Sequence, residues 1–124
     1  MTNDTTVLVV DDQPQNLRLL DAVLSPRGYR VITASSGEHA LDTLKVSPID
    51  LILLDIALPG GDGLLVLRRL RDLAATALTP VIVVSGREPA AMREPALEAG
   101  AVAYLSKPLD TTILLAEVER VLGT

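Results

Sequence analysis

Residues 51–63 read LILLDIALPGGDG: an unbroken apolar run, a carboxylate at Asp55, and then a turn rich in Pro and Gly. A continuous apolar run of this length marks a strand covered on both faces, because neither face alternates with water-facing residues. The same shape recurs at Val7–Val10, which runs into Asp11 and Asp12, and at Val81–Val84, which runs into Ser85 and Gly86. A fourth run, Ala101–Leu105 with Tyr104 inside it, ends in Ser106-Lys107-Pro108, and a weaker fifth spans Arg30–Ala34.

Between these runs lie stripes at helical spacing: Leu17, Leu20, Val23 and Leu24; Ala40, Leu41 and Leu44; Val66, Leu67, Leu70 and Leu73; Leu114, Val118, Val121 and Leu122. Ala90–Ala99 is helix-like but less regular. Gly28 follows the first stripe, Ser47-Pro48 closes the second, Thr79-Pro80 precedes a strand, and Gly100 stands where a helix C-terminal cap belongs. The reading is β-α repeated five times with short connections. Right-handed crossovers then give an open parallel sheet with helices on both faces. No linker or low-complexity stretch interrupts residues 1–124, which read as a single domain.

Composition narrows the function classes. The chain has 124 residues, 48% of them hydrophobic but only 2% aromatic, with no Phe or Trp, so Leu, Val, Ile and Ala must fill the core. No aromatic platform is offered to bases or sugars. A net charge of −5 argues against direct nucleic-acid or membrane-surface binding, both of which need a cationic footprint. The absence of Cys removes disulfides, thiolate metal sites and cysteine nucleophiles together. The polar N-terminus lacks a signal-peptide pattern, and a cytoplasmic protein is the expectation.

In doubly wound sheets, ligands sit beyond the carboxyl ends of the strands. The residues that follow the apolar runs are therefore the candidates: Asp11, Asp12, Asp55, Ser85 and Lys107. Carboxylates brought this close repel one another, and a hard cation with oxygen ligands relieves them. Asp12 and Asp55 can bind such a cation, and Asp55 can attack phosphorus to give an acyl phosphate. Lys107 can pair with the phosphoryl group and Ser85 can hydrogen-bond it.

With VLVVDD at Val7–Asp12, LILLDIALPGGDG at Leu51–Gly63, VIVVSG at Val81–Gly86 and ALEAGAVAYLSKP at Ala96–Pro108, the chain resembles a response-regulator receiver domain of two-component signalling. The resemblance implies a flavodoxin-like fold with strand order 2-1-3-4-5. It implies Asp55 as phosphoacceptor, with Mg²⁺ (or Mn²⁺) held by Asp12, Asp55, the Ala57 backbone carbonyl and, through water, Asp11. Ser85 and Tyr104 match the switch pair that would move the face formed by the fourth helix, the last strand and the fifth helix, and Lys107 matches the phosphate-pairing lysine before a cis Lys107–Pro108 peptide. A sensor histidine kinase or phosphotransfer protein would be the donor. A downstream effector or output domain would be the listener, with a phosphorylation-dependent homodimer as a further possibility. On this reading the chain is a switch rather than an enzyme, either free-standing or one module of a longer protein. The stretch DDQPQNLRLL resembles receivers joined to hybrid kinases or cyclases.

Two rivals compete with it. A phosphorylation-independent binding module would not need the full acid–hydroxyl–lysine set. An aspartyl-phosphate phosphatase of the haloacid-dehalogenase type wants its nucleophile after the first strand and a second Asp two residues on, where this chain has Gln13. Ala57 and Arg87, two residues beyond Asp55 and Ser85, occupy the positions that tune phosphoryl lifetime in the family. Asp62 reads as a helix-start residue and His39 as a solvated surface histidine. Leu65 and Ile113 lie off their helical stripes and are expected to be exposed. Pro95, inside the fourth helical stretch, predicts a kink near Ala91–Pro95 or a helix that starts near Glu94.

Overall fold

A computed structural model of the protein describes residues 5–56, 63–74, 76–86 and 89–123. Its strands are β1 (Thr6–Val10), β2 (Arg30–Ala34), β3 (Leu51–Asp55), β4 (Val81–Ser85) and β5 (Ala103–Ser106). They form one parallel sheet in the order β2-β1-β3-β4-β5. The helices are α1 (Pro14–Leu24), α2 (Gly37–Val46), α3 (Gly63–Asp72), α4 (Pro89–Glu98) and α5 (Thr111–Leu122), with a short 3₁₀ turn at Ser25–Arg27.

Strict alternation of side chains along each strand sorts the apolar runs into two cores. Leu8, Val10, Ile52, Leu54, Val81 and Val83 face Ala40 of α2, Leu67 and Leu70 of α3, and Ala96 of α4. Val7, Val9, Leu51, Leu53, Ile82 and Val84 share the opposite core with Leu20 and Leu24 of α1 and Leu114 and Val118 of α5. The central strands β1, β3 and β4 are buried throughout, which is why their sequences do not alternate. The edge strands β2 and β5 are partly exposed, which explains the weaker run at Arg30–Ala34.

Local chemistry ends each helix where the fold needs it. Ser36 caps α2 by accepting the His39 N–H at 3.1 Å, and Asp110 caps α5 by accepting from Thr112 and Ile113. Pro14 opens α1, where its missing N–H costs nothing. Gly28 and Gly100, with φ of 90° and 110°, take the left-handed turns that follow α1 and α4.

Some sequence expectations need correction. α4 runs from Pro89 to Glu98 through Pro95, so the helix does not start near Glu94. Pro95 has no N–H to offer the Ala91 carbonyl one turn back, while the Ala99 N–H still reaches the Pro95 carbonyl at 3.0 Å and closes the helix. Leu73 is 46% exposed rather than part of the α3 stripe, because the helix ends at Asp72. The last strand begins at Ala103, and Val102 lies outside it with its side chain exposed. Leu65 and Ile113 are exposed, as their positions off the stripes predict.

Candidate phosphoacceptor site

Parallel pairing decides what meets at the sheet's carboxyl edge. Val10 of β1 is in register with Leu54 of β3, so Asp11 and Asp55 emerge side by side. Ser85, the last residue of β4, pairs with Ser106 of β5, and the Lys107 N–H donates to the Ser85 carbonyl at 2.9 Å. The Lys107–Pro108 peptide is cis. These backbone constraints aim the Lys107 side chain back over β3 and β1. Its ammonium donates to Asp11 Oδ2 at 2.8 Å and to Asp55 Oδ2 at 3.1 Å.

Asp11 and Asp55 are buried, at 3% and 5% exposure, whereas Asp12 is exposed. One carboxylate oxygen from each of the three lies within 4.8 Å of the others. Burial alone would push the Lys107 ammonium pKa down. Hydrogen bonds to Asp11 and Asp55, reinforced by both negative charges, outweigh it and hold the pKa above its usual value. Among the described residues, one ammonium against three carboxylates leaves the cluster net negative. A cluster of hard oxygen donors with uncompensated negative charge, part buried and part open to solvent, fits a divalent cation.

Asp11 also serves the local turn. Its Oδ1 accepts the Gln13 N–H at 2.9 Å, a side-chain turn that leads into α1, while Gln13 itself is the N-cap residue. Its Oδ2 accepts a second donor, Asn16 Nδ2, at 3.2 Å. Asn16 was not among the residues the sequence pointed to. The available signal was its place in the first turn of a helix that follows a strand-end acid by five residues. Ser85 is fully buried and Tyr104 is 6% exposed in the α2-α3-α4 core. Ala57, Asp62 and Arg87 lie outside the described residues. His39 is exposed, and its Nδ1 accepts the Ser35 N–H at 3.3 Å.

The response regulator receiver domain family matches residues 7–119, the span that holds every strand of the sheet but the first residue of β1. The chain belongs to that family. As a receiver domain it is the signal-accepting part of two-component response regulators. The transcriptional regulatory protein KdpE of Mycobacterium tuberculosis is 44% identical over 114 residues, which are 92% of this chain and 49% of KdpE. The signal transduction histidine-protein kinase BarA of Escherichia coli is 39% identical over 105 residues, 85% of this chain and 11% of BarA. The receiver domain thus spans about half the length of the first relative and a small part of the second.

Among solved structures, the receiver domain of sensor histidine kinase PA1611 from Pseudomonas aeruginosa superimposes with a TM-score of 0.88 at 30% identity. The match covers 98% of this receiver domain and 100% of that chain, which holds a magnesium ion in its active-site cleft. No helix among the described residues is long and apolar enough to cross a membrane.

Proposed function

We propose that this receiver domain is a Mg²⁺-dependent phospho-accepting switch, with Asp55 taking a phosphoryl group from a sensor histidine kinase or a phosphotransfer protein. The observation that carries the reading is Lys107, whose ammonium bridges Asp11 and Asp55 at 2.8 and 3.1 Å inside a cluster of three carboxylates. A carboxylate oxygen of Asp55 attacks phosphorus as the bond to the donor's imidazole nitrogen breaks, and the electron pair leaves with that ring. Asp12, Asp55 and the Ala57 carbonyl would hold the ion, with Asp11 acting through a water. Bound there, Mg²⁺ supplies positive charge to the phosphoryl oxygens. Lys107 leaves the carboxylates to pair with the new phosphoryl group, and the Ser85 hydroxyl donates to it. Tyr104, packed in the core beside α4, couples that change to the α4-β5-α5 face. An effector protein or an output domain reads the face.

Phosphorylation with acetyl phosphate, or beryllofluoride binding, tests this directly. The wild-type chain should be modified only when Mg²⁺ is present, and Asp55→Asn should abolish modification. Modification that survives in Asp55→Asn, or in excess EDTA, overturns the assignment. Ala57 cannot orient a water toward the acyl phosphate, so Ala57→Asn should shorten the phosphoryl half-life. An unchanged or longer half-life in that variant removes Ala57 from the account.

A further inference from the structure

The Asp11 carboxylate has room for about four hydrogen-bond donors on its two oxygens. Gln13 N–H takes one position on Oδ1 at 2.9 Å, and Lys107 and Asn16 take Oδ2 at 2.8 and 3.2 Å. One acceptor position remains, on Oδ1, for a cation or its water. A carboxylate only accepts, so Asn16 must turn its amide NH₂ toward Asp11. That nitrogen also donates to Gln13 Oε1 at 3.3 Å, and the same oxygen accepts from Gln15 Nε2 at 3.2 Å. The orientation of three amides thus follows from one buried anion.

We propose that Asn16 is a positioning residue for this site: it locks the Asp11 carboxylate through an amide relay with Gln13 and thereby sets the affinity for a divalent cation that it does not touch. The inference rests on the reading of the site as a Mg²⁺-dependent phosphoacceptor. Its particular force comes from Lys107. Of the two side chains on Asp11 Oδ2, Lys107 is the one that must leave to meet a phosphoryl group, and it sits on the connection after β5. Asn16 sits in the first turn of α1, half-buried and lining the same cleft as Asp11, Asp55 and Lys107. When Lys107 departs, Asn16 is the side chain that keeps Asp11 aimed.

The test is a Mg²⁺ titration of the full chain, followed by the Gln13 amide resonance, with thermal unfolding in EDTA measured alongside. Asn16→Leu, similar in size but without a donor, should raise the Mg²⁺ Kd about tenfold, the low end for supporting groups of a metal site, since Asp11 acts through a water and Gln13 N–H and Lys107 still hold it. Asn16→Ala should do the same, which guards against a packing fault peculiar to Leu. Gln13→Ala, which removes only the relay's acceptor, should weaken binding less, and Gln15→Ala should leave it unchanged. Midpoints in EDTA should stay close to wild type throughout. An unchanged Kd in both Asn16 variants overturns the proposal while leaving the phosphoacceptor reading intact. Equal weakening in all four variants, in step with lost thermal stability, also overturns it, since that is general loosening of α1. A wild-type chain that binds no Mg²⁺ overturns the phosphoacceptor reading, and this inference with it.

Discussion

Lys107 is held by two carboxylates, and the direction of its pKa makes that visible in a pH curve. Its pKa is raised above the usual 10.5, because hydrogen bonds and charge from Asp11 and Asp55 outweigh burial. A group whose folded pKa exceeds its unfolded value contributes stability that is fully present below the unfolded pKa. That contribution is lost as pH rises through the folded one. In EDTA, wild type should therefore lose stability above about pH 10.5. Lys107→Met should be less stable at neutral pH by about 1–2 kcal/mol, a value that allows for partial solvent screening of the pair. The gap should close as pH rises, because only the wild-type protein has the Lys107 ammonium to lose. Stability curves that stay parallel from about pH 9 to about pH 12 would falsify this. Asp11, Asp12, Asp55 and Lys107 were readable from the sequence because each follows an apolar run, and parallel strands put all such positions on one edge. Asn16 was not, because an Asn in the first turn of a helix looks solvated until the turn from β1 brings it back over Asp11.

Elements were readable where burial is complete and unreadable where it is partial. The central strands announce themselves by unbroken Val, Leu and Ile, whereas the start of α4 could not be placed because Pro95 argued against a helix that the flanking turns nevertheless complete. What joins the ends of these elements is Arg71, a residue no sequence pattern singled out. Its Nη1 donates to the carbonyls of Thr76, Ala77 and Thr79 at 3.2, 3.3 and 2.7 Å, while Nε and Nη2 both donate to the Gly100 carbonyl at 3.3 and 2.9 Å. One guanidinium therefore ties the α3–β4 connection to the turn between α4 and β5. Gly100 makes the approach possible, since a Cβ there would lie 2.6 Å from Arg71 Nε and its φ is already +110°. Arg71→Ala should cost about 2–4 kcal/mol in urea unfolding, because several half-buried carbonyls lose a charged donor at once. Arg71→Lys should recover less than half of that, since an ammonium cannot reproduce the fork. A Lys variant as stable as wild type would show that charge alone suffices and that the forked geometry is irrelevant.

At the scale of the whole molecule, the parallel sheet gathers Asp11, Asp12 and Asp55 on one edge, where among the described residues Lys107 meets them. The chain's net charge of −5 adds a diffuse repulsion to this local one. A ligand that binds only the folded state stabilises it by about 2.7 kcal/mol when present at a hundred times its Kd. Mg²⁺ should therefore raise the urea midpoint without changing the slope of the transition, because the surface exposed on unfolding is the same. Generic screening of the −5 charge would also raise the midpoint, so NaCl at matched ionic strength gives the baseline that Mg²⁺ must exceed. Asp12→Asn separates the two effects. Asp12 is exposed, so losing its charge removes repulsion from the edge with little desolvation change, and the metal-free variant should be more stable than wild type. The same substitution removes one of the carboxylates proposed to hold the ion, so its Mg²⁺ shift should fall toward the NaCl baseline. If Asp12→Asn keeps the full Mg²⁺ shift, or is less stable than wild type without metal, the acidic edge is neither strained by its own charge nor relieved by the ion.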